Sequence, residues 1–330
     1  MSNNCEIKNM LVQQLVLLLI VLTKFSVKCV MFSVGPCLFN AFESCEANDI
    51  HYYLYSSDQP KIPFRVDNSN IEIPNRFNLS WPMKVILHGY AGSLDYNATA
   101  DIRRAYMKLP NINVLAVDWG ELATLPCYPA AAFNTVQVGH CTASMLLALS
   151  ILDESFKPEN AHLVGFSLGA HAAAYTANYL LKMTGALQKR ITGLDPALPF
   201  FSTPQLSWKL DSTDAHYVDI IHTDAGYLGK AEALGHADFY VNGGSRQPVC
   251  KGQEYEHLCS HNAAPAYFAE SITSKVGFYG SKCSSYIEHI LRWCPADDKG
   301  TREIMGDPSK PGTIGVFYVQ TNDKQPFAKG

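Results

Sequence analysis

A serine placed between two glycines is the side chain of this sequence best suited to act as a nucleophile. It is Ser167, in the segment GFSLG at 165–169, which matches the pattern G-x-S-x-G. In that pattern the serine occupies a strained turn between a strand and a helix, and side chains at the two glycine positions would clash there. An apolar run precedes the segment and an alanine-rich run follows it, as strand and helix require. We therefore predict a nucleophile rather than a small residue in a structural turn.

A serine hydroxyl is a weak nucleophile, so a base must take its proton and a third group must orient that base. The expected order along the chain is serine, acid, histidine. Asp195, in the segment GLDPA, ends the next apolar run after Ser167 and is the predicted acid, although aspartates are also common in plain turns. Asp118, in VDWG, competes for this role but precedes the serine.

Several histidines could act as the base. The six that follow the predicted acid are His216, His222, His236, His257, His261 and His289. We predict His261, in CSHNAAPAYFAES, because a bridge from the nearby Cys259 would hold its loop and because a helix is predicted to follow it. His222 ends an apolar run and is the second choice. His88 and His171, before or beside the serine motif, are expected to satisfy hydrogen bonds instead.

Attack of a serine on an ester carbonyl creates an oxyanion, which must be stabilised by preorganised backbone donors. The amide of Leu168, directly after the predicted nucleophile, is one candidate. The amide of Tyr90, in the segment LHGY, is the other, because the glycine before it would let an early loop turn in close. These two amides are the predicted oxyanion hole.

These groups can meet only if ordered elements carry them to one edge of a sheet. Short apolar runs rich in branched residues span 84–90, 112–119, 161–166, 190–195 and 217–224. In the same order, His88, Asp118, Ser167, Asp195 and His222 lie at or next to the ends of these runs. A helical segment covers roughly 131–154, and another helix follows the serine. This alternation predicts an α/β fold with a doubly wound, mostly parallel sheet and helices on both faces. Ligands of such sheets bind beyond the carboxyl ends of the strands.

The second half of the chain is harder to assign. From about Pro204 the pattern loosens into loops rich in Gly, Pro and Cys, until a last strand is predicted near 313–322. No internal repeat or low-complexity linker is present. We therefore expect one catalytic domain over residues 30–330.

The amino terminus indicates export. An apolar segment at 11–22 follows Lys8 and precedes Lys24 and Lys28, which is typical of a secretory signal cleaved near Cys29. A membrane anchor is the alternative, but about 12 apolar residues fall short of the roughly 20 that a spanning helix needs. Residues 1–29 are therefore predicted to be a signal peptide, with no transmembrane anchor in the mature chain. The net charge of −4, without a basic cluster, argues against nucleic acid as a partner.

Cysteine usage also fits an oxidising compartment. Removal of the signal would leave eight cysteines, at 37, 45, 127, 141, 250, 259, 283 and 294, an even number that suits disulfides. Cys141 lies in an apolar helical run, where a buried free thiol is at least as reasonable as a bridge. No CxxC pair is present, so structural zinc is disfavoured. Two sequons, at Asn78 and Asn97, are candidate glycosylation sites.

One family carries these motifs with the same spacing. The segments HGYAG, VDWG, LVGFSLGAHAAAY, ITGLDPALPFF, TDAHYVDIIHTD, GHADFYVNGGSRQPVC and CSHNAAPAYFAESI cover most of residues 80–272. With them the chain resembles the pancreatic-lipase-like family. The resemblance implies an α/β-hydrolase that cleaves lipid carboxylic esters, with Ser167, Asp195 and His261 as its triad and Tyr90 and Leu168 as its oxyanion donors. It also implies pairing of Cys250 with Cys259, of Cys127 with Cys37 or Cys45, and of Cys283 with Cys294.

Departures from the family pattern narrow the expected substrate. Only 30 residues follow Gly300, so the C-terminal β-sandwich of triacylglycerol lipases, and docking of a cofactor protein through it, are not expected. The loop between Cys250 and Cys259 holds eight residues, where those lipases have a long amphipathic lid, and the loop 225–234 is short as well. Both short loops resemble the corresponding loops of the venom phospholipases A1 of the family. Phe166 stands where histidine is commoner in the family, and residues 262–264 lack an arginine that is often found there. Both differences could alter the headgroup preference, so the lipid headgroup is not predicted.

The leading interpretation is a secreted serine esterase that acts on phospholipids at a membrane or micelle surface. A lipase for neutral glycerides or galactolipids, and an inactive lipid-binding or storage member of the family, are the alternatives. No cofactor is expected. Relatives hold a structural calcium near the segment LSWKLDSTD, where Asp211 and Asp214 would be the ligands. Two acids three residues apart are more often turn residues, and calcium needs six or more oxygens, so no metal is predicted.

Overall fold

Eleven strands build the central sheet of this protein. The computed structural model describes residues 29–42, 45, 49–66, 71–284 and 302–330. The strands of the sheet are β3 (His51–Ser56), β4 (Phe64–Val66), β5 (Met83–Leu87), β6 (Asn113–Asp118), β7 (His162–Phe166), β8 (Gln188–Leu194), β9 (Ala215–His222), β10 (Ala237–Val241), β11 (Phe278–Cys283), β12 (Arg302–Met305) and β13 (Gly315–Val319). A separate antiparallel hairpin joins β1 (Cys29–Val34) and β2 (Cys37–Phe42). The α-helices within the described residues are α1 (Asn97–Tyr106), α2 (Tyr128–Leu152), α3 (Leu168–Thr184) and α4 (Glu256–Ser271).

The centre of the sheet is parallel. Strand order is β12-β11-β13-β10-β9-β8-β7-β5-β6-β3-β4, and every pair from β13 to β6 is parallel, whereas the strands at both edges are antiparallel. Strand β5 lies between β6 and β7, so the chain order reverses beside it. A reversal of this kind opens a crevice at the carboxyl ends of the two strands, where ligands bind. The predicted nucleophile follows one of them.

Helices cover both faces, which confirms the predicted doubly wound α/β fold. The face with α2 and α3 packs against inward residues such as Val85 and Leu163, and the face with α1 and α4 packs against Ile86 and Val164. Helix α2 is long and apolar enough to cross a membrane by length and composition alone. More than half of its most apolar window is buried in the fold, as expected for a core helix that packs on α3.

The expectation of loops after Pro204 was wrong for strand β10 and for the antiparallel edge strands β11 and β12, which lie in that part of the chain. Helix α4 lies there as well, where a helix was predicted to follow His261. All five residues of β10 are buried, although Asp238 interrupts its apolar pattern. That carboxylate accepts hydrogen bonds from the amides of Leu234 and Gly235, which explains how an acidic residue fits inside a buried strand.

Three disulfides are present among the described residues. Cys37 pairs with Cys127 and Cys45 with Cys141, and both bonds fasten the amino-terminal region to helix α2. These pairs settle the open choice for Cys127, and a free thiol at Cys141 was wrong. The third bond, Cys250–Cys259, confirms the pairing implied by the family resemblance. Two predicted features lie outside the described residues. The signal peptide falls on residues 1–28, and both Cys294 and His289 fall within 285–301.

A buried polar network joins the strands to the segment after β12. Lys84 Nζ lies 2.9 Å from Asp307 Oδ1, and the Arg190 guanidinium binds both carboxylate oxygens of Asp219, at 2.8 and 3.1 Å. Arg190 also donates to the carbonyl oxygen of Asp307. His162 completes the network: it accepts from Lys84 at Nδ1 and, through Nε2, donates to a threonine hydroxyl. Charges of both signs are thus paired on side chains of the central strands, away from the carboxyl ends of these strands.

Two buried histidines make stability depend on pH. Burial lowers the pKa of His171 to about 3 and holds the pKa of His162 well below its ordinary value. Both rings stay neutral in the folded state, because each has one nitrogen that accepts a hydrogen bond. The unfolded chain takes up a proton on each ring below about pH 6.5, so stability is lost as pH falls through that value toward 3. At pH 5 the loss from His171 is about 2 kcal/mol, and His162 acts in the same direction.

We expect His171→Gln to remove its share of this pH dependence, since a glutamine side chain does not titrate. The free energy of unfolding, measured in denaturant, should fall from pH 7.5 to pH 5 by about 2 kcal/mol less in the variant than in the wild type. Other titrating groups are common to both proteins and cancel in the comparison. Equal losses in the two proteins would show that His171 is not held neutral by the fold.

Candidate active site

Ser167 stands on a sharp turn between β7 and α3. Its backbone angles, φ 56° and ψ −120°, are rare for a residue with a side chain and indicate local strain. A Cβ atom on Gly165 would lie 2.3 Å from the Gly169 carbonyl oxygen, and one on Gly169 would lie 2.3 Å from the Leu87 carbonyl oxygen. Both glycines are therefore required by close backbone approach, as the sequence pattern predicted.

Asp195 follows β8 at the next strand along the sheet. It also has a positive φ, 42°, and its side chain is fully buried. The Ser167 amide donates to the carbonyl of Leu194, at 3.0 Å. Ser167 and Asp195 therefore lie side by side at the carboxyl ends of the neighbouring strands β7 and β8. Oδ1 of Asp195 accepts from the amides of Thr223 and Asp224, at 2.7 and 3.0 Å. Oδ2 lies 2.6 Å from Nδ1 of His261.

The hydrogen bond to Asp195 fixes the His261 imidazole. With the Nδ1 proton held by the carboxylate, Nε2 is left as the acceptor, which is the tautomer that a general base needs. The imidazole packs against the ring of Phe166, with 4.7 Å between centroids, and therefore lies beside the residue that precedes Ser167. The structure thus brings the predicted acid and base into direct contact next to the predicted nucleophile.

The expected loop around His261 was wrong, because this residue lies inside helix α4. The helix starts at Glu256, and the Cys250–Cys259 disulfide ties its first turn to the preceding segment. Pro265 lies in the interior of the helix. Proline lacks the amide for an internal hydrogen bond and is usually found at the first turn, so its position suggested a later start.

The loop after β5 approaches the serine closely. A Cβ atom on Gly89 would lie 2.7 Å from Ser167 Cβ and 3.2 Å from its Oγ. His88 fixes this loop: Nδ1 lies 2.8 Å from the Gly89 carbonyl, and Nε2 accepts from the Trp119 amide at 3.0 Å. The amide of Tyr90 comes next in the chain. The other candidate oxyanion donor, Leu168, is the first residue of α3, where the amides point away from the helix and favour negative charge.

The competing residues have other partners. His222 is fully buried. Its Nδ1 lies 2.9 Å from the Lys230 carbonyl oxygen, and its Nε2 lies 2.9 Å from Asp238 Oδ1. Asp118 accepts from the Gly120 amide and lies 3.4 Å from His88 Nε2. His171 donates to the Ala197 carbonyl and accepts from the Leu210 amide, as expected for a structural histidine. His216 is exposed, and His236 accepts from the Val218 amide.

Gly229 is a part of the site that the sequence did not reveal. A Cβ atom there would lie 2.4 Å from Oδ2 and 2.5 Å from Oδ1 of Asp195, so the backbone of this loop covers the carboxylate. The loop is held by two hydrogen bonds to the residues after the aspartate: Leu198 N to Leu228 O at 2.8 Å and Lys230 N to Pro196 O at 2.9 Å. A glycine followed by a lysine is common in turns, and nothing in its spacing links it to a residue 34 positions earlier.

We expect Gly229→Ala to lower kcat by about tenfold to a hundredfold, because the new methyl group must displace the carboxylate that orients His261. KM should change little, since the substrate does not contact this buried position. Steady-state kinetics of the variant, with its unfolding midpoint, checks this. Gly226 is a matched control in the same loop, where an added Cβ would meet no atom within 4 Å, although its φ of 85° will cost some stability. A kcat for Gly229→Ala equal to that of Gly226→Ala would contradict the expectation.

The loop between Cys250 and Cys259 lies at the surface. Residues 251–255 are exposed, including Tyr255, and the loop lines an open groove of about 550 Å³, which Phe327 also lines. The neighbouring short loop is fixed by Lys230, whose buried Nζ donates to the Phe201 carbonyl at 2.7 Å. Eight residues closed by a disulfide are too few to form an amphipathic flap over an apolar trough.

Asp211 and Asp214 form a hydrogen-bonded turn. Oδ1 of Asp211 accepts from the amide and hydroxyl of Thr213, and Oδ2 of Asp214 accepts from the Asp211 amide. Burial raises the pKa of Asp214 to about 7. Asp211 Oδ2 is buried without a hydrogen-bond partner among the described residues. Calcium needs six or more oxygens, so these two carboxylates could supply only part of such a site, and the absence of a metal stays a prediction.

One protein family matches nearly the whole chain: the family described as Lipase, over residues 39–327. Pancreatic lipase-related protein 2 of Sus scrofa is 31% identical over 314 residues, which cover 85% of this chain and 65% of that protein. Pancreatic triacylglycerol lipase of Mus musculus is 32% identical over 311 residues, covering 84% and 64%. The chain thus spans slightly less than two thirds of these relatives. An alpha/beta hydrolase enzyme from a Medee basin deep-sea metagenome library aligns with a TM-score of 0.33 and 16% identity, over 55% of this chain and 72% of that one.

Proposed function

Because this chain belongs to the lipase family, we propose that it hydrolyses carboxylic esters of lipids, and that it is a phospholipase A1. The observation that carries the catalytic assignment is the 2.6 Å contact between Asp195 and His261 at the strand ends beside Ser167. Such an arrangement serves acyl transfer through a covalent intermediate. No cofactor is needed for this chemistry.

The proposed reaction has two halves. In the first, Ser167 Oγ attacks the ester carbonyl carbon while His261 Nε2 takes the hydroxyl proton, and that proton then goes to the departing alcohol. In the second, water attacks the acyl-enzyme and gives a proton to the same nitrogen, which passes it to Ser167 Oγ as the bond between this oxygen and the acyl carbon breaks and the fatty acid is released. Asp195 holds the imidazole tautomer and stabilises the cation that forms. The amides of Tyr90 and Leu168 stabilise the oxyanion in each half.

Phospholipids are the proposed substrate class because, in the part of the chain that the structure describes, no flap lies over the site that could exclude water from a large apolar trough. The exposed Cys250–Cys259 loop and the pinned loop at 225–234 support this choice. A lipase for neutral glycerides or galactolipids is the second candidate, since one relative is named a triacylglycerol lipase. The third candidate is a lipid-binding member of the family without catalysis.

Secretion completes the proposal. The segment 1–29 is proposed as a signal peptide and residues 30–330 as the catalytic domain. The three disulfides fit an oxidising compartment. Asn78 is exposed, and its Oδ1 accepts from the Ser80 hydroxyl, so this sequon is accessible to a glycosyltransferase. Glycosylation at Asn78 is proposed on this basis, and glycosylation at Asn97 is proposed from its sequon alone.

The substrate proposal is tested by assaying the purified protein on phosphatidylcholine micelles and on a triacylglycerol emulsion. We expect faster fatty acid release from the phospholipid, with the acyl chain removed from the first glycerol position. Clear preference for the emulsion would overturn the phospholipase assignment and favour the second candidate. Hydrolysis of neither substrate, nor of any short acyl ester, would favour the binding protein.

A further inference from the structure

A second histidine–carboxylate pair lies beside the candidate triad. His257 Nδ1 is 2.8 Å from Asp224 Oδ1. The Asp224 side chain is fully buried, whereas 34% of the His257 side chain is exposed. His257 precedes His261 by four residues on α4, so both histidines lie on one side of this helix.

The two pairs are connected through the backbone of Asp224. Its amide donates to Asp195 Oδ1 at 3.0 Å, and the other oxygen of Asp195 binds His261. Its carboxylate binds His257 through one oxygen and accepts from the Leu228 amide, at 3.0 Å, through the other. A continuous path of hydrogen bonds therefore runs from His257 through both aspartates to the proposed general base.

Asp224 also organises the loop that covers Asp195. Its carbonyl accepts from the amides of Tyr227 and Gly229, both at 3.2 Å, and Gly229 is the residue that lies on the Asp195 carboxylate. The Tyr227 ring stacks on the His257 imidazole, with 3.7 Å between centroids. His257 thus fastens this loop to helix α4 by a hydrogen bond and by a ring contact.

The buried Asp224 carboxylate needs a partner of this kind. Burial raises the pKa of Asp224, and the hydrogen bond from His257 opposes that shift. Removing one member of a buried charged or hydrogen-bonded pair leaves the other unsatisfied and shifts it toward water. Movement of Asp224 would carry its amide away from Asp195 and would loosen the base.

We propose that His257 is a positioning residue for the hydrolysis proposed above: it holds Asp224, and Asp224 holds Asp195 and so the His261 imidazole. This role rests on the proposed function. It also explains how the short loop stays fixed on the site without a moving lid. Preorganised support of a reacting group commonly decides whether that group lies within the fraction of an ångström that catalysis requires.

The test compares His257→Ala, His257→Asn and His257→Gln. An asparagine places its amide nitrogen where Nδ1 stood, whereas a glutamine places it nearer to Nε2. We expect the alanine variant to lose about tenfold to a hundredfold in kcat on phosphatidylcholine with KM within about twofold. The asparagine variant should recover most of that loss and the glutamine variant should not. His216→Ala, at an exposed histidine, is the matched control and should match the wild type.

A second measurement is independent of turnover. The proton between Asp195 and His261 should give a low-field NMR signal in the wild type, which the alanine variant should lose or broaden and the asparagine variant should keep. Unchanged kcat in His257→Ala, or equal kcat in the asparagine and glutamine variants, would overturn the positioning role. If His257→Ala does not fold, the comparison of asparagine with glutamine still decides. A wild type without esterase activity would refute the proposed function instead, while the NMR signal would still report on the link.

Discussion

Replacing Ser167 by alanine is expected to lower kcat for ester hydrolysis by about a millionfold, to the level that binding and the oxyanion donors support without a nucleophile. The acyl-enzyme cannot form, since no other described hydroxyl lies on the turn between β7 and α3. The fold should survive, because alanine fits the volume of serine. Fatty acid release measured by titration, together with the thermal unfolding midpoint, tests both expectations.

Ser144→Ala is the matched control. Ser144 lies on α2, away from the carboxyl ends of the strands, and donates to the His140 carbonyl. The kcat of the Ser144→Ala variant should therefore equal that of the wild type. Ester hydrolysis that survives Ser167→Ala at the rate of this control would defeat the assignment of Ser167 as the nucleophile of an esterase.

Asp195→Asn is expected to lower kcat by about ten-thousandfold with a small change in KM. The carboxamide can donate its N–H to Nδ1 of His261, which leaves the proton on Nε2, where it blocks removal of the serine proton. The steric fit under Gly229 is kept, because the amide and the carboxylate have the same shape. Steady-state kinetics on phosphatidylcholine measures the loss.

Asp118→Asn discriminates between the two candidate acids. Asp118 binds the Gly120 amide and lies near His88, and it has no contact with His261, so its replacement should change kcat by no more than several-fold. A large loss in Asp118→Asn together with an active Asp195→Asn would reverse the assignment of the acid.

Local chemistry made the centre of the site predictable. The steric demand of the turn shows in the two glycines around Ser167, and the apolar runs before Ser167 and Asp195 predict the strands that carry them. The order of the motifs along the chain then favoured Asp195 over Asp118 as the predicted acid. The predicted base was chosen through its neighbour Cys259, and the loop expected around it is a helix that begins before the interior proline at 265.

Contacts between distant residues were beyond this reasoning. The covering of Asp195 by Gly229 and the pairing of His257 with Asp224 depend on two loops that meet only in the folded chain. Strand β10 was missed because its buried Asp238 breaks an otherwise apolar pattern, and the partners of that carboxylate are invisible in sequence. The choice between Cys37 and Cys45 as partners of Cys127 likewise depended on where the amino-terminal hairpin packs.

Covalent labelling shows whether Ser167 is an activated nucleophile. A phosphonate ester with one acyl-like chain and a good leaving group mimics the tetrahedral intermediate, and an activated serine displaces the leaving group to form a stable adduct. We expect one phosphonyl group per chain, located by mass spectrometry on Ser167, with activity lost in proportion to labelling. The Asp195→Asn variant should label far more slowly. A protein that stays unlabelled, or one that keeps its ester hydrolysis after complete labelling, would contradict the account.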